Sequence, residues 1–92
     1  QLKGIGKDPL DSDFAKAQAM VPRLASLSKM DHLTLYGVYK QATAGDAKGN
    51  VPENEREKAK FLSWKQNTGL SEKDAKQKYI QIVKNAAQVS KL

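Results

Sequence analysis

Residues 71–89 read SEKDAKQKYIQIVKNAAQV, and this stretch decides the fold class. Ser71 followed three residues later by Asp74 is a capping-box-like helix start, and Leu70 just before it can staple onto Ala75. From there Ala75, Tyr79, Ile82, Ala86 and Val89 recur at spacings of three and four, with Ile80, Val83 and Ala87 beside them. The pattern predicts a helix from about 72 to 89. A helix with one oily stripe gains most of its stability by laying that stripe against other elements.

Working back along the chain, Asn67-Thr68-Gly69 closes the preceding segment, with Gly69 suited to a left-handed C-cap. That segment, about 53–67, has Pro52 suited to its first turn, acidic Glu53, Glu55 and Glu57 near its start, and Ala59, Phe61, Leu62 and Trp64 as apolar members. Residues 44–52, AGDAKGNVP, are loop chemistry. Before them, Ser28-Lys29-Met30-Asp31 is a second capping-box-like start, leading a helix to about Thr43. Leu33, Leu35, Tyr36, Val38, Tyr39 and Ala42 spread over a broad face there, which predicts contact with more than one neighbour. Gly37 costs this helix about 1 kcal/mol relative to Ala, which close packing or a ligand at the backbone could offset.

A first helix is expected at about 12–25, carried by Phe14, Ala17, Val21 and Leu24. Pro22 removes a hydrogen bond inside it, so it should kink or end near Val21. Residues 1–11, with Gly4, Gly6 and Pro9, have no periodicity and are expected to form a flexible arm, leaving 12–92 as one domain. Strand-type alternation and internal repeats are both lacking. The expected architecture is all-α, a compact four-helix bundle.

Composition narrows the function. Ninety-two residues suit one small core and favour a binding module over a catalytic domain with its own cofactor fold. With no Cys and a lone His32, disulfide, thiolate and zinc-knuckle chemistry drop out together. Sixteen cations, fourteen of them lysine, against ten anions give +6, a balance suited to a polyanionic partner. The scarcity of Arg argues against bidentate base or phosphate recognition. No apolar run is long enough to span a bilayer.

Chemistry-bearing residues cluster on the second helix. Tyr36 and Lys40 are four apart and Tyr36 and Tyr39 three apart, so their side chains project from neighbouring positions. A phenol beside an ammonium can stack on a purine and meet phosphate; equally, one tyrosine can be core while Lys40 extends along the surface. Lys58 and Lys60 flank the apolar side of the third helix and read first as a solvated edge. Tyr79 reads as a half-buried core tyrosine or as a second aromatic wall for a ring ligand. Trp64, Phe61 and Met30 read as core. No nucleophile–base pair or metal set can be assembled, so neither catalysis nor a metal is expected.

Tyr36-Gly37-Val38-Tyr39-Lys40-Gln41-Ala42-Thr43 followed by Gly45-Asp46 resembles the acyl-CoA-binding protein family. Lys58-Ala59-Lys60-Phe61-Leu62-Ser63-Trp64, Gly69 to Ala75 and Tyr79-Ile80 match it further on, so the likeness runs from about Phe14 to the C-terminus. The resemblance implies a four-helix bundle of that type that reversibly binds medium- to long-chain fatty acyl-CoA thioesters in the cytoplasm as a monomer. It implies no catalysis, no cofactor and no nucleic acid, with acyl-CoA as ligand and transient contact with membranes or acyl-CoA-using enzymes. By the same resemblance Tyr36 meets the adenine, Lys40 the ribose 3′-phosphate and Lys60 a phosphate. Tyr79 and Tyr39 would complete the ligand site, and His32 and Leu33 are the acyl-groove candidates. The alternative, from charge alone, is a basic helical module for anionic membranes or nucleic acid. Three departures from the family pattern, Pro22, Phe61 in place of a tryptophan and a shortened 50–57 segment, predict altered tail-length preference or weaker affinity.

Overall fold

The computed structural model describes residues 9–90. Four helices follow one another: α1 (Pro9–Met20), α2 (Lys29–Ala44), α3 (Glu55–Lys65) and α4 (Glu72–Ser90), with a 3₁₀ turn at Val21–Arg23 after α1. Residues 1–8 of the expected arm lie outside the described residues; Pro9, Leu10 and Asp11 belong to α1, which starts earlier than its apolar pattern suggests. Proline is at home in a first turn, where its missing N–H goes unused. Pro22 stops α1 as expected: the chain tightens to 3₁₀ geometry and Leu24 N–H closes onto the Val21 carbonyl at 3.1 Å.

Both capping signatures act at the positions expected. Asp31 N–H donates to Ser28 Oγ at 3.1 Å while Ser28 N–H donates to Asp31 Oδ2 at 3.0 Å. Asp74 N–H donates to Ser71 Oγ at 3.0 Å at the head of α4. The start of α3 differs from expectation. Asn54, not Pro52, begins it, its Oδ1 accepting from the N–H groups of Arg56 and Glu57 at 2.9 and 3.2 Å. An Asx cap satisfies two donors that a proline cannot, so the helix begins after Asn54.

Helix order in space is α1–α4–α2–α3, since α4 packs on α1 and α2, and α2 also packs on α3. Contacts at the ends set the directions. Lys76 meets Asp11 and Tyr79 meets Phe14, so α1 and α4 run parallel. Gln41 reaches Leu70, whereas Ser26 reaches Ala86, so α2 and α4 are antiparallel. Arg56 in the first turn of α3 lies by Lys29 and His32, whereas Trp64 in its last turn bonds to Gly45, so α3 runs parallel to α2. A parallel pair needs a return path. The 16 residues of α2 are about 24 Å long. Residues 45–54 can span about 33 Å, which makes that length sufficient.

The core lies among α1, α2 and α4: Phe14, Ala17, Leu35, Val38, Ala42, Ala75, Tyr79 and Val83 are buried. None of α3 is fully buried, and Leu62 is 41% exposed. Met30, read as core from its sequence, is 70% exposed, because its position in the first turn of α2 faces solvent while Asp31 beside it lies near α4. Phe61 and Trp64 are half-buried, edge-to-face at 6.2 Å. With only α2 to lean on, α3 leaves a seam open along their contact.

Candidate functional site

Gly37 makes that seam close at its middle. A Cβ there would stand 2.5 Å from the carbonyl carbon and Oγ of Ser63, so the two backbones touch. Ser63 Oγ donates to the Leu33 carbonyl at 2.7 Å and locks the contact. Toward the N-terminal ends of both helices the seam opens into a groove of about 370 Å³ with almost wholly carbon walls. Its size is at the lower end of small-molecule sites. Lys29, His32, Leu33 and Tyr36 line it from α2, and Arg56, Ala59 and Lys60 from α3.

Four of the residues expected to meet ligand thus come together here: Tyr36, Lys60, His32 and Leu33. Lys60 Nζ stands 5.0 Å from the Tyr36 ring centre and 3.8 Å from a Glu57 carboxylate oxygen. One turn further along α2, Lys40 Nζ lies 4.8 Å from the Trp64 ring centre. Trp64 is itself oriented by its Nε1–H, which donates to the Gly45 carbonyl at 2.7 Å. Two ammonium groups, each over an aromatic ring, therefore follow one another along the seam. Each such contact is worth about 0.5–1 kcal/mol at an exposed position, weak enough for a phosphate to draw the ammonium away.

Tyr39 and Tyr79 form a second group, on the flank of α2 turned toward α1 and α4. Tyr79 is 6% exposed, edge-to-face with Phe14 at 5.1 Å and 6.5 Å from the Tyr39 ring centre. Burial raises the phenol pKa of Tyr79 above its ordinary value, with Tyr39 adding to the effect. Its ring is core, as one sequence reading had it, and it does not line the groove. Tyr39, 37% exposed, bridges the two groups, three residues from Tyr36.

Sequence reasoning missed Lys29 and Arg56 as groove residues and Trp64 as the platform beneath Lys40. A signal existed for two of them. Arg56 precedes Lys60 by four and Lys29 precedes Leu33 by four, so helical spacing places both pairs on one side.

Below the seam, Gln41 is buried and donates to Asp46 Oδ1 at 2.7 Å and to the Leu70 carbonyl at 3.0 Å. Gly69 N–H donates to the same Asp46 oxygen at 3.0 Å. The bonds from Gly69 and Gln41 hold the Asp46 carboxyl below its ordinary pKa, with Lys48 nearby in the same sense. This network ties the end of α2 to the start of α4. Among the described residues no cluster of His, Asp and Glu could hold a metal ion, and no helix is long and apolar enough to cross a membrane.

Residues 11–83 match the family model described as "Acyl CoA binding protein". The chain belongs to the acyl-CoA-binding protein family. Among relatives, an acyl-CoA-binding protein homolog of Manduca sexta is 44% identical over 75 residues, covering 77% of this chain and 83% of that one. The acyl-CoA-binding protein of Brassica napus is 41% identical over 78 residues, with 82% and 85% covered. Acyl-CoA-binding domain-containing protein 3 of Oryza sativa is also 41% identical over 78 residues, 82% of this chain, yet the match spans only 50% of that longer protein. The fold agrees as well. The crystal structure of Oryza sativa acyl-CoA-binding protein 2 aligns with TM-score 0.84 at 32% identity, covering 89% of this chain and 94% of that one. Membership of this acyl-CoA-binding protein family does not favour the alternative of a basic module for nucleic acid or anionic membranes.

Proposed function

We propose that this chain reversibly binds medium- to long-chain fatty acyl-CoA thioesters, buffering and carrying them as a cytoplasmic monomer without catalysing their conversion. The observation that carries the reading is the carbon-walled groove between α2 and α3, with the Lys60 ammonium over the Tyr36 ring at its inner part. A thioester of CoA asks for those two things together. Its nucleotide needs an aromatic face and ammonium groups, supplied by Tyr36, Lys40 and Lys60, with Tyr39 and the hydroxyl edge of Tyr79 alongside. Its tail needs apolar surface, which Leu33 and the flank of His32 provide.

The energetics suit that division. CoA carries about four negative charges, and a chain of +6 favours the encounter. Each buried methylene contributes up to about 0.8 kcal/mol before ordering costs. Charge and stacking thus select the CoA end, and buried area selects the tail.

Calorimetric titration with palmitoyl-CoA, then with CoA and palmitate separately, tests the reading. The thioester should bind far more tightly than either part. Equal affinity for CoA and palmitoyl-CoA would remove the groove from the mechanism, and absence of palmitoyl-CoA binding would end the proposal.

A further inference from the structure

The outer end of the α2–α3 groove carries positive charge for which a plain alkyl tail has no use. Lys29 and Arg56 line it from opposite helices with His32 close by, and no Asp or Glu is among its lining residues. The ion pairs found among the described residues engage Lys60 and Lys76, leaving Lys29 and Arg56 without a carboxylate. Nearby acids are otherwise employed or exposed to solvent. Asp31 accepts from Ser28 N–H, Glu57 lies 3.8 Å from Lys60, and Glu53 and Glu55 are exposed.

Helix direction brings two N-termini to the same end. Because α2 and α3 run parallel, both of their N-termini, at Lys29 and Glu55, fall at this same end. Each N-terminus has about half a positive charge from its aligned peptide dipoles, which Asp31 on α2 and Glu55 and Glu57 on α3 offset from their first turns. An apolar trough therefore opens toward two cations that make no ion pair among the described residues.

Length relates this end to the ligand. Lys29 precedes Tyr36 by seven residues, about 10 Å along α2, the reach of roughly eight extended carbons. With the nucleotide at Tyr36, Lys40 and Lys60, the pantetheine arm has to fold back before the thioester enters the trough, and a tail that then runs outward ends near Lys29 and Arg56.

Resting on the acyl-CoA reading, we propose that this groove favours thioesters whose chain ends in a carboxylate, that is, ω-carboxyacyl-CoA of medium length. Lys29 and Arg56 are the specificity-determining residues. A terminal methyl leaves both cations with water alone. A terminal carboxylate, still partly hydrated in an open trough, loses little solvation and gains charge-assisted hydrogen bonds, bidentate where Arg56 presents its fork.

The test is titration of the full chain with dodecanoyl-CoA and dodecanedioyl-CoA, reading the ratio of the two affinities on each variant. The wild type should bind dodecanedioyl-CoA about fivefold more tightly at low salt. That preference should shrink in Lys29→Gln and in Arg56→Gln and vanish in the double variant. It should also shrink in the wild type as salt rises to about 0.3 M. Weaker binding of the diacid than the monoacid, or a preference unchanged in the double variant, overturns the inference alone. Failure of both thioesters to bind overturns it together with the acyl-CoA reading. Because the wild-type ratio is decisive by itself, a misfolded variant does not rescue the idea.

Discussion

Gly37 of α2 and Ser63 of α3 meet at a distance that only glycine permits, a Cβ on Gly37 falling 2.5 Å from the Ser63 carbonyl carbon. Ser63 cannot turn aside, because its hydroxyl is spent on the Leu33 carbonyl. Two effects oppose each other in Gly37→Ala. Helix propensity gains about 1 kcal/mol, while overpacking costs about 1–3 kcal/mol. The obstacle is backbone, so the second should win. We expect net destabilisation of about 1–2 kcal/mol in urea unfolding, with weaker ligand binding as the seam spreads. A more stable variant would show that α3 is free to move.

Trp64→Phe removes the donor to the Gly45 carbonyl and the best ring face available to Lys40. Loss of that hydrogen bond should cost about 1 kcal/mol, read as a lower melting temperature with unchanged helicity. Palmitoyl-CoA should bind less tightly as Lys40 loses its platform. Unchanged stability would mean that water replaces the indole without penalty.

Lys60 and Tyr79 are predicted to fail in different ways. Lys60→Gln should leave the melting temperature nearly unchanged, since its contacts are exposed, and weaken palmitoyl-CoA about tenfold. Its effect should fade with added salt. Tyr79→Ala removes a core ring and should cost about 3–5 kcal/mol of stability, so it is uninformative about binding. Tyr79→Phe keeps the packing against Phe14 and deletes only the hydroxyl. A drop in affinity in that variant, with stability retained, would give the hydroxyl a ligand role; an unchanged affinity confines Tyr79 to the core.

Asp46 supplies a pH signature. Its folded pKa lies below the unfolded value, so the stabilisation it confers is complete above the unfolded value, near pH 4. It is lost as pH falls through the lower folded pKa. Asp46→Asn should therefore be less stable than the wild type at pH 7, with the gap narrowing steadily as the solution is acidified below about pH 4. Thermal melts of both proteins from neutral to strongly acid pH provide the check. A gap that is constant with pH would show that the carboxylate charge contributes nothing there.

Much of the fold is local chemistry and was legible as such. Ser28 with Asp31 and Ser71 with Asp74 mark their helix starts because a cap hydroxyl and its partner sit within one turn. Pro22 ends α1 for an equally local reason, its missing N–H. Asn54 was overlooked in favour of Pro52 because both are permitted near a helix start, and only the geometry shows which one satisfies the free donors. Met30 was misjudged for another reason: periodicity tells which residues share a face, not which face meets a neighbouring helix.

The site divides along the same line. Tyr36, Tyr39 and Lys40 were identifiable as neighbours on one helix because three- and four-residue spacing is a property of the helix itself. That Lys60 lies over Tyr36, that Lys40 lies over Trp64 and that Tyr79 turns inward onto Phe14 depend on how helices dock. By itself the sequence determined four helices, their caps and their charge. Tertiary structure alone decided that α2 and α3 run parallel, meeting at Gly37 and parting toward their N-termini, and so made a groove with cations at its mouth. Hydrogen bonds within a turn are written in adjacent residues, whereas the meeting of two surfaces is chosen by burial and shape across the whole chain.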